Sequence, residues 1–250
     1  MNNKEEKKYI IEKYNSEEDW LMARWISGSN ASSILDANPY KSKLDLWKEL
    51  IDKRDNKTTK QQLTSHVKKN KKNEVLQYGH KAEPLIRKIV QLNLKKEYKI
   101  QEPKGYVLYR RKDKPYLTAT VDGLMTRLSD GLEGVHEIKT RECKGEREYN
   151  EWAIEKKIPQ NYFIQILHYF VVLTDKKYVY LSPKLIQRIK KETQWVIDKE
   201  TILYGLIVWR SEVQKQVDYL EKIETKFWEE NILKRLIPTI EFRDEEEGEN

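Results

Sequence analysis

Apolar positions recur at helical and strand spacings along the 250-residue chain, and these spacings predict its elements. Ser16 and Asp19 have the spacing of a capping box, which predicts a short first helix through Trp20 and Arg24. Further helices are predicted over residues 29–35, from Ser42 through Leu50, over 74–96, over 160–173 and over 189–236. Strands are predicted over residues 106–111, 116–124, 134–141 and 177–181, the last closed by Ser182 and Pro183.

The order of these elements, a helix followed by three strands, a helix and another strand, indicates an α/β fold. Residues 1–185 are predicted to form the core, and residues 186–240 a C-terminal helical extension of the same domain. One side of the helix over residues 74–96 is predicted to be buried through Leu76, Leu85, Ile86, Ile89 and Val90. Residues 53–72 hold eight basic residues and one acid, so we expect a basic insertion that is mobile or lies near DNA.

The charge of the chain is unevenly distributed. The formal net charge is +7, and the last ten residues, with six acids and one Arg, contribute −5 of it, so the remainder carries +12. Residues 241–250 are therefore predicted to form an acidic, disordered tail. The basic remainder favours a polyanionic partner, although a Lys-rich composition alone is a weak indication.

Composition also excludes several classes of protein. Cys143 is the single cysteine, which excludes an internal disulfide, a Cys-based zinc site and a cysteine-ligated iron–sulfur cluster. No uninterrupted apolar run approaches the roughly 18–20 residues of a membrane span. The charged start of the chain has no apolar segment of the signal-peptide type. We expect a cytoplasmic protein without a membrane partner.

The strongest candidates for catalytic residues lie between residues 116 and 140, in the segment YLTATVDGLMTRLSDGLEGVHEIKT. Asp122 ends one apolar run, and the next run carries Glu137, Ile138 and Lys139. Because side chains alternate in a strand, Glu137 and Lys139 are predicted to share one face while Ile138 enters the core. If the segment around Asp122 pairs with the strand that carries Glu137, the carboxylates of both residues lie close to the Lys139 ammonium and the Ile138 carbonyl. These are the hard oxygen ligands that Mg²⁺ or Mn²⁺ prefers, and the pattern is typical of a metal-dependent phosphodiesterase.

Three further polar residues fit the same site. Glu83 lies on the helix predicted over residues 74–96 and is a candidate for an outer carboxylate. Gln165 and Tyr169 are four residues apart and therefore share a helix face. Taken singly, each is more simply interpreted as a surface residue. Their order along the chain together with the strand residues favours a nuclease.

Several motifs in the same order resemble the YqaJ-type viral recombinase family, the phage alkaline exonucleases related to lambda exonuclease. They are RWISGSNASSILDANPYKSKLDLW from Arg24, YGHKAEPLI with Glu83, ATVDG with Asp122, EIKT with Glu137 and Lys139, and QILHY with Gln165. The resemblance covers roughly residues 20–183. It implies a PD-(D/E)xK restriction-endonuclease-like core, in which a central mixed sheet is flanked by helices.

The resemblance also implies roles for individual residues. Asp122 and Glu137, with the backbone carbonyl of Ile138, would ligate two Mg²⁺ ions, for which Mn²⁺ substitutes. Lys139 would be the catalytic lysine, Glu83 an accessory ligand, and Gln165 a residue beside the nucleophile. Arg24 and Ser29 match the residues that hold the 5′-terminal phosphate, and Tyr169 joins them as a predicted DNA contact.

The function implied is a DNA exonuclease that acts 5′ to 3′ on double-stranded ends and makes single-stranded tails for phage-type recombination. The resemblance also implies a single-strand annealing protein as a partner and assembly of the chain into a ring-shaped homotrimer. Two alternatives remain open at this point. One is an endonuclease or RecB-like nuclease on the same core, which Gln165 and Tyr169 also fit. The other is a catalytically degenerate DNA-binding module.

Overall fold

The computed structural model describes residues 7–58, 74–143, 145–191 and 194–239, which form two sheets with helices packed against them. The helices are α1 (Glu17–Ala23), α2 (Gly28–Ile34), α3 (Lys43–Arg54), α4 (Glu74–Asn93), α5 (Glu146–Ala153), α6 (Gln160–Val172) and α7 (Arg210–Lys226), which continues as a π-helical segment, Phe227–Leu233. The strands are β1 (Tyr9–Tyr14), β2 (Tyr98–Gln101), β3 (Tyr106–Arg111), β4 (Thr118–Ala119), β5 (Gly123–Arg127), β6 (Glu133–Cys143), β7 (Tyr178–Lys191), β8 (Gln194–Ile202) and β9 (Leu206–Trp209). Among these helices, none combines the length and the apolar character that crossing a membrane requires.

The larger sheet is mixed, with the strand order β2-β5-β6-β7-β8. β6 and β7 run parallel, with Glu137 opposite Leu181, whereas the other neighbours are antiparallel. A parallel pair needs a crossover connection, which here contains α5 and α6. The smaller sheet, β1-β3-β4, is antiparallel. The predicted α/β fold with a mixed central sheet is confirmed.

Polar caps and apolar faces account for the first helices and for α6. The Ser16 hydroxyl accepts a hydrogen bond from the Asp19 N–H at 3.1 Å, and the Ser42 hydroxyl accepts one from the Asp45 N–H at 3.0 Å. α6 is buried from Ile164 to Val172 because it packs against α2, α7 and the smaller sheet. The helices predicted over residues 29–35 and 160–173 are confirmed to within a residue.

The apolar face predicted for α4 is only partly correct. Ile86 and Val90 are buried and pack against Ile138 of β6. Leu85 and Ile89, in contrast, are 64% and 42% exposed. The stripe of α4 that packs against the sheet is therefore narrower than the apolar face predicted from the sequence. The side chain of Leu76 lies outside the described residues.

The helix predicted over residues 189–236 is wrong in its first half. β7 continues to Lys191, β8 and β9 follow, and helical structure begins only at Arg210. β-Branched residues such as Ile189 and Val196, which face each other across β7 and β8, favour an extended backbone. Charged residues such as Lys190 and Lys199 line an exposed two-stranded extension of the sheet, formed by β7 and β8. The predicted C-terminal helical extension is thus a sheet extension followed by α7.

Two other predicted elements need correction. The strand predicted over residues 116–124 is divided into β4 and β5, which belong to different sheets, and Asp122 lies at the break. Pro183 does not close β7 but lies inside it, where β7 changes its antiparallel partner from β9 to β8. The proline nitrogen therefore faces a gap between partners, where no ladder hydrogen bond is lost. Residues 59–73 and 240–250, which hold most of the predicted basic insertion and all of the acidic tail, lie outside the described residues.

A buried charged pair joins α7 to α6. His168 Nδ1 lies 2.6 Å from Glu224 Oε1, and its Nε2 lies 2.9 Å from the Thr118 carbonyl oxygen. Neither side chain is exposed. Burial alone would lower the pKa of His168, but the charge of Glu224 and the hydrogen bonds to Glu224 and Thr118 raise it above its ordinary value. The raised pKa favours the imidazolium form, which can donate from both nitrogens.

Replacing Glu224 by Gln is expected to destabilise the fold by about 3 kcal/mol, because a buried cation loses its counter-charge. Since the pKa of His168 is raised, the contribution of the pair is fully present below about pH 6.5 and is lost as the pH rises through the elevated value. Thermal unfolding between pH 6 and 9 should show the gap between the wild type and Glu224→Gln narrowing with pH. Glu230→Gln, an exposed change on the π-helical segment, is the control. A gap that is absent or widens with pH would contradict the assignment.

Candidate active site

β6 carries the first part of the candidate site. Glu137 and Lys139 lie on the same face, with Lys139 Nζ 2.6 Å from Glu137 Oε1. Ile138 is buried on the opposite face against α4. Burial would lower the pKa of Lys139, but the carboxylates of Glu137 and Asp122 raise it, so the side chain stays an ammonium. The alternation predicted for EIKT is confirmed.

Asp122 lies immediately before β5, where the pairing of β5 with β6 ends at Gly123 opposite His136. Its carboxylate accepts a hydrogen bond from the Ile138 N–H at 2.7 Å and so caps the strand edge that β5 leaves open. The N–H and C=O of one strand residue point to the same edge, so the Ile138 carbonyl faces the side that Asp122 occupies. Burial and the charges of Glu137 and Glu83 raise the pKa of Asp122 well above its ordinary range. A carboxyl group under this repulsion is stabilised by an added cation.

α6 supplies two polar side chains that hold Glu137. Gln165 Nε2 donates to Glu137 Oε1 at 2.9 Å, and the Tyr169 hydroxyl donates to Glu137 Oε2 at 2.6 Å. Gln165 Oε1 in turn accepts from Lys139 Nζ at 2.9 Å. Burial and the charges of Glu137 and Asp122 raise the pKa of Tyr169 well above its ordinary value, which keeps the phenol protonated as a donor. Tyr169 is 2% exposed, so the structure places the predicted DNA contact on Glu137 instead of on the surface.

Glu83 lies at the margin of this cluster. Its carboxylate pairs with Arg87, one helical turn further along α4, and Arg87 also contacts Glu102. Glu83 is nevertheless near enough for its charge to act on Asp122. Within the described residues, no three side chains of the His, Cys, Asp and Glu types are gathered closely enough to hold a metal ion. The donors that fit a hard divalent cation are the carboxylates of Asp122 and Glu137 and the Ile138 carbonyl.

Arg24 and Ser29 form a second cluster with Ser27. The Arg24 guanidinium lies over the Trp20 ring, 4.6 Å from its centroid, and donates to Ser27 Oγ at 3.4 Å and Ser29 Oγ at 3.3 Å. Ser29 is exposed, so one side of the cluster faces solvent. A guanidinium and two hydroxyls form a donor set suited to a phosphate. We call Arg24, Ser27 and Ser29 the phosphate clamp.

Gly28 connects the phosphate clamp to the residues around Glu137. A Cβ atom at this position would lie 2.9 Å from Gln165 Cγ and 3.3 Å from Tyr169 Cε1. Only a residue without a side chain therefore lets α2 approach α6 this closely. The two clusters are neighbours because of this contact.

Ser27, Gly28 and Lys53 contact the predicted site residues but cannot be distinguished as such from the sequence alone. Ser27 and Gly28 stand within the quoted motif around Arg24, but their roles depend on the contact between α2 and α6. The sequence places Lys53 in the predicted basic insertion, whereas in the structure it belongs to α3 and points into the protein. No local pattern distinguishes such a lysine from its solvated neighbours.

If the site cleaves phosphodiesters as its residues predict, replacing Gly28 by Ala is expected to lower the rate by about 10- to 100-fold, the usual cost of disturbing a residue that orients another site residue. The added methyl group must displace Gln165 and, through it, Glu137 and Lys139. The measurement is the initial rate of duplex digestion, with circular dichroism to verify folding. Gly79→Ala on α4, where a Cβ meets nothing within 4 Å, is the matched control. Equal rates for both variants would show that the close approach is not needed.

Solved structures share this fold. An alkaline exonuclease from Laribacter hongkongensis, LHK-Exo, superposes with a TM-score of 0.51, covering 88% of this chain and 100% of its own at 18% sequence identity. The crystal structure of LHK-Exo in complex with dAMP gives a TM-score of 0.52, covering 87% and 96% at 18% identity. At this identity the likeness shows a shared fold, the PD-(D/E)xK-like core predicted from the motifs.

Sequence comparison identifies the family. The uncharacterized protein YqaJ of Bacillus subtilis (strain 168) is 25% identical over 237 residues, which cover 90% of this chain. The chain spans about 60% of the length of that relative. The family model described as the YqaJ-like viral recombinase domain matches residues 19–177, a range that contains every residue of both clusters. This match extends over more than half of the sequence, and the chain belongs to the YqaJ-like viral recombinase domain family.

Proposed function

We propose that the protein is a Mg²⁺-dependent DNA exonuclease that degrades one strand of a duplex from its 5′ end. The observation that carries the proposal is the convergence of Asp122, Glu137 and Lys139 at the open edge of β6. A fold shared with an alkaline exonuclease and membership of a viral recombinase family support it.

The cation is proposed to bind Asp122, Glu137 and the Ile138 carbonyl, with Glu83 as an accessory ligand when it leaves Arg87. A bound divalent ion supplies Lewis acidity and charge neutralisation at the scissile phosphate. Mn²⁺ has the same preference for hard oxygen donors and should substitute. Two ions in the active state are proposed by analogy with the family.

Each side chain then has a distinct task. Lys139 holds a positive charge beside the scissile phosphate and donates a hydrogen bond to the developing negative charge. Gln165 and Tyr169 hold Glu137 in one orientation by donating to its two oxygens. Because no rearrangement of these groups is then needed at the moment of reaction, the fixed donors lower the barrier.

The phosphate clamp would make digestion depend on a free DNA end. A 5′-terminal phosphate would be held by Arg24, Ser27 and Ser29, which adjoin the catalytic cluster through Gly28. A terminal phosphate anchored there sets the scissile bond at a fixed distance from the strand end. Single-stranded tails made in this way would serve an annealing protein in recombination, and a ring-shaped homotrimer would keep the enzyme on its substrate.

One set of digestions tests the proposal. Linear duplexes with a 5′-phosphate or a 5′-hydroxyl, and a covalently closed circle, are incubated in Mg²⁺ and in EDTA. We expect digestion of the linear duplex in Mg²⁺ alone, with the 5′-phosphate preferred and the circle left intact. A label at the 5′ nucleotide should be released before one at the 3′ nucleotide. Cleavage of the circle would instead indicate an endonuclease, and binding without digestion in any metal would indicate a degenerate module.

A further inference from the structure

Lys53 lies near the end of α3, and its ammonium group contacts the end of α1. Lys53 Nζ donates to the Leu21 carbonyl at 2.9 Å and also to the Arg24 carbonyl. It lies 5.0 Å from the centroid of the Trp25 ring. The side chain therefore contacts the last turn of α1 and the carbonyl of Arg24 itself, the residue that supplies the phosphate clamp with its guanidinium.

The carbonyl groups that Lys53 binds are those that a helix end leaves without intrahelical partners. α1 ends at Ala23, and Arg24 follows with an extended backbone, φ −77° and ψ 132°. From the backbone, the Leu21 carbonyl accepts a long hydrogen bond, 3.3 Å, from the Arg24 N–H. α1 has no basic residue in its last turn. A cation from α3 supplies the missing partner and fixes the direction in which the chain leaves the helix.

This direction determines where the Arg24 side chain points. The guanidinium stacks on Trp20 and reaches Ser27 and Ser29, and all three contacts depend on the backbone position of Arg24. We propose that Lys53 is a positioning residue for 5′-phosphate recognition, which holds Arg24 in the orientation that completes the phosphate clamp. The inference rests on the proposed function of that clamp and adds a residue outside it.

Because Lys53 is partly buried and surrounded by charges, the preference for a 5′-phosphate should also depend on pH. Burial lowers its pKa to about 8, with Glu49 acting to raise it and Arg24 and Arg110 acting to lower it. The ammonium therefore loses its proton between pH 7 and 9, whereas a terminal phosphate, with a second pKa of about 6, stays doubly charged. A neutral amine binds the two carbonyls more weakly, so the preference for a 5′-phosphate should fall over this range.

The test compares kcat/KM on matched duplexes that carry a 5′-phosphate or a 5′-hydroxyl. Lys53→Met is expected to reduce the phosphate-to-hydroxyl ratio by about tenfold, the size of effect expected when a charged hydrogen bond is lost. The rate on the hydroxyl substrate should stay close to that of the wild type. Lys53→Arg, which keeps the charge and the donors, should restore the ratio and remove its decline between pH 7 and 9.

Lys48→Met removes the same charge from an exposed position of α3 and should leave the ratio unchanged. If Lys53→Met does not fold, the pH dependence of the wild type and of Lys53→Arg decides. Suppose that the wild type prefers the 5′-phosphate. If Lys53→Met keeps the same phosphate-to-hydroxyl ratio, or if the wild-type ratio is constant from pH 7 to 9, the role of Lys53 is overturned and the phosphate clamp is not. A wild-type ratio of one overturns the phosphate clamp itself and this inference with it.

Discussion

Replacing Lys139 by Ala is expected to reduce Mg²⁺-dependent digestion of linear duplex DNA by about 10²- to 10³-fold, the cost of losing one fixed donor at developing charge. Lys139 Nζ lies 2.6 Å from Glu137 and 2.9 Å from Gln165. Its charge offsets two carboxylates that the fold holds together. Without it, the scissile phosphate meets uncompensated negative charge, and Glu137 loses a partner that fixes its position.

The measurement is the release of acid-soluble nucleotides from a duplex with 5′-phosphates, under single-turnover conditions. Lys99→Ala provides the matched control, because Lys99 is an exposed lysine on another strand of the same sheet. Circular dichroism verifies that both variants fold. A Lys139→Ala enzyme that digests DNA within a few-fold of the wild type would remove the catalytic assignment.

Replacing Asp122 by Asn is expected to have opposite effects on stability without and with Mg²⁺. Burial, Glu137 and Glu83 raise the pKa of Asp122, so the folded chain binds this proton more tightly than the unfolded chain. The stability of the metal-free wild type therefore falls as the pH rises through the elevated pKa. An amide is free of this penalty and can still accept the Ile138 N–H. At pH 8 we expect Asp122→Asn to melt above the metal-free wild type, by roughly 2–4 °C for each kcal/mol gained.

Mg²⁺ should reverse this order. A ligand at 100 times its Kd stabilises the folded state by about 2.7 kcal/mol, which for a chain of this length corresponds to roughly 5–10 °C in Tm. We expect this rise in the wild type and not in Asp122→Asn, as measured by differential scanning calorimetry with MgCl₂ and with NaCl of equal ionic strength. Asp130→Asn, on the exposed turn between β5 and β6, serves as the control. An equal rise in all three proteins would place the cation elsewhere.

The parts of the site that follow from local periodicity could be predicted from the sequence. Strand alternation alone places Glu137 and Lys139 on one face, and helical spacing alone places Gln165 beside Tyr169. Asp122 was identified because a carboxylate before Gly123 ends an apolar run. Each of these inferences uses only neighbours within a few positions, and the structure brings the resulting side chains together.

The parts that depend on contacts between distant segments could not be predicted. Gly28 is required only because α2 meets α6, and Lys53 is recognisable only once α3 lies beside the end of α1. The strands of residues 186–209 were missed for the same reason. Their pairing partner is β7, and charged residues such as Lys190 and Lys199 are equally compatible with a solvated helix.

The pair formed by His168 and Glu224 has a consequence for how this chain can be divided. The shared family region ends at residue 177, before α7 begins. A fragment trimmed to that region would leave His168 buried without its carboxylate partner and would expose the core surface against which Val213, Val217 and Leu220 pack. The smallest portable unit of this fold therefore reaches at least to Glu224, and a chimera that takes its last helix from a relative must carry an acidic residue at that position.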